Sequence, residues 1–241
     1  MHRLNLPADL PVDLLVIDPQ NDFLDIPGAA LPVPGANADM DRLAAWLKQH
    51  AQQVQSLTVT MDSHASVGIE RTPFWRCADG SAVAPFTTIT EADVRAGRFV
   101  PRHAQRLALA LNYVQALERA GPRRLVVWPV HCVLGTWGHN LHAELAASVA
   151  HWEGVSGLPA EKVIKGQNPM TEQYSAFRAE VVIPEDARTV LNQALLRRLT
   201  GASRSADQGR APGWLLVAGE ALSHCVAASV QDMIAYLPTE R

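Results

Sequence analysis

The sequence predicts an α/β fold, a doubly wound three-layer sandwich built around a mostly parallel sheet. Short runs of β-branched and apolar residues alternate along the chain with segments whose apolar residues recur at helical spacing. This alternation is typical of a parallel sheet with helices on both faces. The first unit consists of a strand at Val12 to Ile17, a helix at Ala38 to Ala51 and a strand at Val54 to Met61. Two strands joined in this way run parallel through a right-handed crossover.

The later elements continue the same alternation. Helices are predicted at 104–120, 140–152, 186–199 and 222–234, and strands at 124–128, 162–165 and 214–218. Between Ser63 and Pro101 the periodicity fails, and a loop of that length inside a compact domain is usually functional. We find no internal repeat and expect a single domain over residues 1–241, with an insertion at about 65–103.

Composition narrows the class of protein. A net charge of −3 lacks the excess of basic residues that marks nucleic-acid-binding proteins, so we expect no nucleic-acid partner. No apolar stretch reaches the length of a membrane span, and the N-terminal segment lacks the features of a signal peptide. We therefore expect no membrane partner and a cytoplasmic location. Three cysteines, Cys77, Cys132 and Cys225, make a poor disulfide framework and fit a reducing compartment.

Reactive side chains fall at or just after the carboxyl ends of the predicted strands. They are Asp18, Asp62, His131, Lys165 and Glu220. In doubly wound sheets, ligands bind beyond the carboxyl ends of the strands. The sequence therefore predicts one functional site at this edge of the sheet.

Cys225 is the candidate nucleophile. Ser223 is a suitable N-cap, which would place Cys225 in the first turn of a helix, where the helix dipole favours a thiolate. The alternative is a small buried apolar residue, a common role for a free cysteine. Asp18 and Lys165 favour the nucleophile, because a reactive thiol needs a proton acceptor and a charge partner. Taken singly, Asp18 also fits a turn before Pro19, and Lys165 also fits a solvated lysine.

Asp62, His64 and His131 are candidate metal ligands. Because side chains alternate along an extended segment, Asp62 and His64 point to the same side. His131 joins them from a neighbouring strand end. Nitrogen and oxygen ligands of this kind suit a divalent zinc, iron or manganese ion, although an Asp-x-His pair alone is more often ordinary surface. We expect no organic cofactor.

Five motifs stand in order along the chain: VIDPQNDF, TMDSH, WPVHCVLGTWG, VIKG and GEALSHCV. Together they resemble the nicotinamidase/isochorismatase-like cysteine hydrolases, over about residues 12–236. The resemblance implies the isochorismatase-like hydrolase fold and a hydrolase of the C–N bond of a small linear carboxamide. Ammonia would leave through a thioester intermediate, and nicotinamide would be the first substrate to test. Two alternatives remain: another carboxamide, carbamoyl or ureido substrate, and a non-catalytic binding or regulatory homologue.

The resemblance also implies a role for each matching residue. Cys225 would be the nucleophile, Asp18 the general base and then the general acid, and Lys165 their electrostatic partner. The backbone N–H groups of Ala221 and Cys225 would form the oxyanion hole. The peptide bond between Glu220 and Ala221 would be cis.

For the ligand pocket, the resemblance implies aromatic walls from Phe23 and Trp128. It also implies a metal held by Asp62, His64 and His131.

The chain departs from the family pattern in two places. In the family, a further histidine usually follows the Asp-x-His pair. Here Glu70 is the only nearby residue whose side chain can bind a metal, so Glu70 is a further candidate ligand. The family also continues past the cysteine helix with one more strand and helix, whereas this sequence stops at Arg241. We therefore expect a sheet edge that is unpaired or covered by another subunit, and a homo-oligomer.

The remaining candidates receive smaller roles. Cys77 and Cys132 have no activating surroundings, and we expect both to be structural. His224 is expected to make local hydrogen bonds. Tyr174 and Ser175, nine and ten residues after Lys165, are considered for the pocket wall but are not included in the predicted site.

Overall fold

A computed structural model describes residues 10–200 and 213–237. The polar segment 202–212, which contains glycine, serine and arginine and is predicted from the sequence to be a loop, lies outside the described residues. The centre is a sheet of four parallel strands. In spatial order they are β7 (Glu161–Lys165), β2 (Val54–Asp62), β1 (Val12–Ile17) and β8 (Trp214–Gly219). β1 is buried along its whole length, and burial on both faces explains why its sequence is a nearly continuous apolar run.

Helices cover both faces of this sheet. α1 (Ala36–Gln49) and α4 (Ala143–Ser156) pack on one face, against Leu14 and Val16 of β1. α5 (Gln193–Thr200) and α6 (Ala227–Tyr236) pack on the other, against Leu15 and Ile17. Successive side chains of a strand point to opposite faces, so this one strand supplies both cores. Each such buried aliphatic side chain contributes about 1.5–3 kcal/mol. The predicted three-layer α/β sandwich is confirmed.

A third apolar cluster lies within residues 69–127. Its elements are β3 (Trp75–Cys77), β4 (Thr87–Ile89), α2 (Glu91–Arg95), β5 (Phe99–Pro101), α3 (Leu107–Ala120) and β6 (Leu125–Val127). β3 pairs antiparallel with β5, and β4 pairs antiparallel with β6. Trp75, Ile89 and Val114 are buried together at the centre of the cluster.

Several predicted elements differ from the observed ones. The strand expected at 124–128 is β6, but it pairs with β4 and does not join the central sheet. The segment from Ser63 to Pro101 is not a plain loop, since it holds elements of three to five residues. Elements that short show no periodicity. In the segment expected as a helix at 186–199, a 3₁₀ turn at Ala187–Thr189 precedes the shorter α5.

Within the described residues, no helix combines the length and the apolar character that crossing a membrane requires.

Candidate active site

The carboxyl ends of the central strands bring four of the five predicted reactive residues to one edge, while His131 follows β6 outside this sheet. Asp62, the last residue of β2, pairs with Lys165, the last residue of β7. Asp18 follows β1 directly, and the last residue of β1, Ile17, pairs with Gly219 at the end of β8. Because all four strands are parallel, these ends meet on the side of the sheet where ligands bind in such folds.

Asp18 is held in place by Thr60 of the adjacent strand. The Asp18 N–H donates to Thr60 Oγ1 at 3.0 Å, and the Thr60 hydroxyl donates to Asp18 Oδ1 at 2.6 Å. The φ angle of Asp18 is 47°, in the left-handed region that a strand cannot continue through. The backbone therefore turns here, and one carboxylate oxygen, Oδ2, is left for another partner.

That partner is the ammonium group of Lys165. Lys165 Nζ lies 2.9 Å from Asp18 Oδ2 and 2.8 Å from Asp62 Oδ1. It also donates to the Gln173 carbonyl at 3.1 Å and lies 3.6 Å from Cys225 Sγ. A buried ammonium is costly unless it is paired and fully hydrogen-bonded, and two carboxylates meet that need. Lys165 thus connects a carboxylate with a thiol.

Cys225 lies in a single π-helical turn, Leu222–Val226, that precedes α6. Ala221 stands at the start of this turn, without a side-chain cap. The Ser223 hydroxyl is 2.9 Å from His224 Nδ1. The prediction that Ser223 caps a helix with Cys225 in its first α-helical turn is therefore wrong. π-turns are rare and occur often at functional sites.

Burial sets the protonation states of these groups. Burial raises the pKa of the Cys225 thiol well above its usual range, although the Lys165 ammonium opposes the shift. Burial also raises the pKa of Asp18, again against Lys165. For Lys165, burial lowers the pKa, but Asp18 and Asp62 outweigh it and hold the ammonium protonated. Burial therefore favours the neutral thiol form of Cys225 in the resting site.

Glu220 follows the end of β8. The peptide bond between Glu220 and Ala221 is cis, as predicted. The Glu220 N–H donates to the Ile17 carbonyl at 2.9 Å. Its carboxyl is buried, and Oε1 has no hydrogen-bond partner among the described residues. Burial, with a contribution from Asp25, raises the pKa of Glu220 to about 7.

Asp62, His64 and His131 converge, as predicted. Their ligand atoms lie within 4.8 Å of one another, and all three residues are buried. His64 Nε2 is 2.8 Å from Asp62 Oδ2, and His131 Nε2 is 3.5 Å from the same oxygen. The other ring nitrogen of His64, Nδ1, has no hydrogen-bond partner within the described ranges. Buried polar atoms are normally satisfied, so this arrangement could hold a metal ion.

The protonation states also suit metal ligands. Burial lowers the pKa of both His64 and His131 to about 4, and Arg71 lowers each further while Asp62 opposes. Burial would raise the pKa of Asp62, but His64 and Lys165 hold it well below its usual range. Two neutral imidazoles and one carboxylate are the deprotonated forms that bind a metal.

Glu70, the further candidate ligand, lies beside this group. Its Oε1 is 3.5 Å from His64 Nδ1 and 3.3 Å from Arg71 Nε. Burial raises the pKa of Glu70 to about 8, with Arg71 opposing. Glu70 therefore lies beside His64, and the Arg71 guanidinium contacts both Glu70 and His131.

A cavity of about 210 Å³ adjoins Cys225. Phe23 and Trp128 line it, as the resemblance implied. Tyr174 also lines it, and the Trp128 indole N–H donates to the Tyr174 hydroxyl at 3.1 Å. Pockets for drug-sized ligands measure about 300–1,000 Å³, so this one suits a smaller molecule. A larger groove of about 550 Å³ is lined by the Arg178–Asp232 ion pair and contains no comparable group of reactive residues.

Two polar residues of the first motif hold the site together. The Gln20 amide donates to the Asp62 carbonyl at 2.8 Å and accepts from the Asp62 N–H at 2.7 Å. Asp22 accepts from the Cys132 N–H at 2.7 Å. These bonds fix the β2 end and the loop that carries His131.

No family model and no curated protein sequence matches this chain. Solved structures do. The structure of the yeast nicotinamidase matches with a TM-score of 0.57 at 22% identity, covering 90% of this chain and 79% of that one. The same enzyme bound to the inhibitor nicotinaldehyde gives a TM-score of 0.57 at 21% identity, covering 90% and 79%. A nicotinamidase/pyrazinamidase from Acinetobacter baumanii gives a TM-score of 0.55 at 23% identity, covering 94% and 78%.

The chain has the fold of the nicotinamidases. In this nicotinamidase fold, the structure brings Asp18, Lys165 and Cys225 into one contact group, and Asp62, His64 and His131 into an adjoining one. Lys165 is shared between the two, because it contacts both Asp18 and Asp62.

Sequence reasoning missed three features of the site. Arg71 was not singled out, although it is fully buried and reaches His131. Glu172 was also missed, and it is buried and lines the cavity. Tyr174 lines the cavity although it was left out of the predicted site, whereas Ser175 lies in the larger groove. The sequence could have indicated Glu172 and Tyr174 as pocket residues, because both follow Lys165 after a short spacing.

Proposed function

We propose that this chain is a cysteine-dependent hydrolase of a small carboxamide, nicotinamidase-like, that releases ammonia through a thioester. One observation carries the proposal. The Lys165 ammonium lies 2.9 Å from the Asp18 carboxylate and 3.6 Å from the Cys225 sulfur, with all three residues buried. A proton acceptor, a nucleophile and a fixed positive charge are the parts that covalent catalysis by a thiol needs.

In the first step, Asp18 takes the thiol proton from Cys225. The resting thiol has a raised pKa, so transfer requires an acceptor whose pKa is also raised, and burial raises that of Asp18. The negative charge moves from the carboxylate to the sulfur. Lys165 stands next to both atoms and therefore compensates the charge before and after the transfer.

The thiolate then attacks the amide carbonyl, and a carbon–sulfur bond forms. The backbone N–H groups of Ala221 and Cys225 would hold the resulting oxyanion, an interaction worth about 2.7–4 kcal/mol for one donor. Asp18 returns its proton to the nitrogen as the carbon–nitrogen bond breaks, and ammonia leaves. Water then hydrolyses the thioester to the acid, with Asp18 as the general base, which regenerates the thiol.

The pocket favours a small, flat carboxamide. Phe23, Trp128 and Tyr174 supply aromatic walls for a ring, and the cavity of about 210 Å³ limits its size. Nicotinamide fits this description, and the yeast nicotinamidase with the same fold is named for that substrate and was solved with nicotinaldehyde bound. We therefore propose nicotinamide as the first substrate to test.

If a divalent zinc, iron or manganese ion binds, Asp62, His64 and His131 would hold it. Such an ion supplies a Lewis acid that anchors a ring nitrogen or bound water of the substrate. The proton transfers described above are made by Asp18, Lys165 and Cys225 and need no step through that ion.

The test is ammonia release from a panel of amides that includes nicotinamide, pyrazinamide, aliphatic carboxamides and ureido acids. We expect turnover of an aromatic carboxamide by the wild type and none by Cys225→Ala. Cys77→Ala is the matched control, because Cys77 is a free thiol outside the cavity lining, and it should keep full activity. Retained activity in Cys225→Ala would overturn the proposed mechanism.

A second readout does not depend on turnover. An aldehyde analogue such as nicotinaldehyde should add to the Cys225 thiol, with the thiol proton passing to the carbonyl oxygen to give a thiohemiacetal. Calorimetry should detect tight binding by the wild type and by Cys77→Ala, and none by Cys225→Ala. Equal binding by all three proteins would exclude a covalent role for Cys225.

A further inference from the structure

Arg71 is a buried arginine in the loop that leads into the 69–127 cluster. Its side chain is fully shielded from solvent. The loop is tied down on both sides of it: the Arg71 N–H donates to the Gly68 carbonyl at 2.9 Å, and the Trp128 N–H donates to the Glu70 carbonyl at 2.7 Å. The guanidinium is therefore positioned by the fold and does not sample solvent.

The guanidinium contacts His131, one of the candidate metal ligands. Arg71 Nη1 lies 2.6 Å from His131 Nδ1 and 3.1 Å from His131 Nε2. His131 Nδ1 is also 2.8 Å from the Pro129 carbonyl, which can only accept a proton. Nη1 of Arg71 is thus within hydrogen-bond distance of both ring nitrogens, whichever of them carries the lone pair. A metal ion needs that same lone pair.

The charge of Arg71 is only partly compensated. Glu70 Oε1 lies 3.3 Å from Arg71 Nε. Arg71 Nη2 has no hydrogen-bond partner among residues 10–200 and 213–237. A guanidinium keeps its proton at any ordinary pH, so this positive charge is permanent. A divalent ion at Asp62, His64 and His131 would have to bind next to it in a site that excludes solvent, where like charges repel strongly.

We propose that Arg71 is the resident cation of the Asp62–His64–His131 group and competes with a divalent metal ion for it. The guanidinium supplies a positive charge beside His131 and engages the lone pair of that imidazole. The wild-type protein consequently binds zinc weakly. Removing the guanidinium opens a three-ligand site in which the ion takes over the lost charge. The inference concerns metal affinity and does not rest on amide hydrolysis, so its failure and that of the proposed function can be told apart.

The experiment compares the wild type with Arg71→Met, which keeps length and apolar volume but removes the charge. Each protein is stripped with a chelator, titrated with Zn²⁺ and Co²⁺, and passed through a desalting column before metal analysis. We expect the wild type to retain less than about a tenth of an equivalent and Arg71→Met to retain about one. Dissociation constants should differ at least tenfold, and only Arg71→Met should show the visible absorption of tetrahedral Co²⁺.

Two controls separate this effect from general loss of arginine or of structure. Arg76→Met removes an exposed arginine from β3 and should behave like the wild type. Adding His131→Ala to Arg71→Met should abolish the new metal binding. Should Arg71→Met be unstable alone, Zn²⁺ is expected to raise its Tm while leaving that of the wild type unchanged, because only a folded site binds the ion.

The outcomes decide the proposal in either direction. A wild type that retains one equivalent of zinc through desalting overturns it. So does an Arg71→Met protein that binds zinc no more tightly than the wild type, or that zinc fails to stabilise.

Discussion

The Lys165 ammonium lies 3.6 Å from the Cys225 sulfur and on the other side contacts the Asp18 carboxylate. This contact decides how the thiol ionises. Burial disfavours the thiolate form of Cys225 and so raises the pKa of the thiol. Lys165 is the group that opposes this rise. The reactivity of Cys225 is therefore a property of Lys165 as much as of the cysteine.

Replacing Lys165 with methionine should slow alkylation of Cys225 and destabilise the protein. Without the ammonium, the pKa of the thiol rises further, and Asp18 and Asp62 are left as buried carboxylates without their shared partner. Breaking a buried ion pair in this way costs about 3–5 kcal/mol. The rate of iodoacetamide labelling at pH 8, followed by mass spectrometry, and a urea titration measure the two effects.

Lys162→Met is the matched control. Lys162 lies on the same strand, β7, but is exposed. Its replacement should change neither the labelling rate nor the urea midpoint. Labelling of Lys165→Met at the wild-type rate would show that the ammonium does not control the thiol.

Amide hydrolysis should be lost at low pH because of Asp18. The pKa of this carboxyl is raised by burial, so the carboxylate proposed to accept the thiol proton disappears as the pH falls through that raised value. The value of kcat/KM should therefore rise with pH to a plateau. Asp18→Asn, which cannot accept the proton, should lower kcat about 10²–10⁴-fold at all pH values.

The shape of the profile separates the roles of Asp18. In Asp18→Asn the residual activity should no longer show the acidic limb, since the group that titrates is gone. If the limb persisted unchanged in Asp18→Asn, another residue would be the base.

The sheet edge of the site could be predicted from the sequence, and the details of its side chains only in part. The run from Val12 to Ile17 is a strand with the predicted bounds, because a fully buried strand has a distinctive composition. The positions of Asp18, Asp62 and Lys165 could be predicted because each lies at or directly after the carboxyl end of a strand. The position of Cys225 in a π-turn could not be predicted, since Ser223 two residues earlier also fits an ordinary helix start.

Other features depend on contacts that are distant along the chain. β6 is an apolar run of three residues, and nothing in it specifies whether it pairs with the central sheet or with β4. Arg71 follows a glycine-containing loop, where an arginine is normally solvated. Its burial depends on packing against His131, 60 residues later. The periodicity of apolar residues indicates which face of a helix or strand is buried. It carries no information about contacts between residues that are distant along the chain.

Gly166 should not tolerate a side chain. Its φ is +76°, and a Cβ built there would lie 2.6 Å from His64 Cε1 and 3.1 Å from Asp62 Oδ1. Gly166→Ala therefore adds a clash with these side chains to the cost of a left-handed backbone. We expect a loss of about 1–2 kcal/mol from the backbone and a further 1–3 kcal/mol from overpacking, measured by urea unfolding.

Gly97→Ala isolates the backbone contribution. Gly97 has a similar φ of +69°, but nothing lies within 4 Å of the position of its Cβ. This variant should show only the smaller loss. Equal destabilisation of the two variants would mean that the loop after Lys165 moves to make room and that His64 is not tightly packed.

Glu220 should make the stability of the protein fall as the pH rises through the neutral range. Its pKa is about 7 in the folded state, against an ordinary value of 4.5 for the unfolded chain, because burial disfavours the carboxylate. The folded state thus holds this proton more tightly, so the free energy of unfolding decreases between about pH 4.5 and 7, by roughly 1–3 kcal/mol. Glu220→Gln cannot ionise and should be more stable than the wild type at pH 8 but similar at pH 4.5.

Urea titrations at the two pH values measure this difference in stability, with Glu144→Gln on the exposed face of α4 as control. A difference between Glu220→Gln and wild type that does not change with pH would show that Glu220 stays ionised in the folded protein.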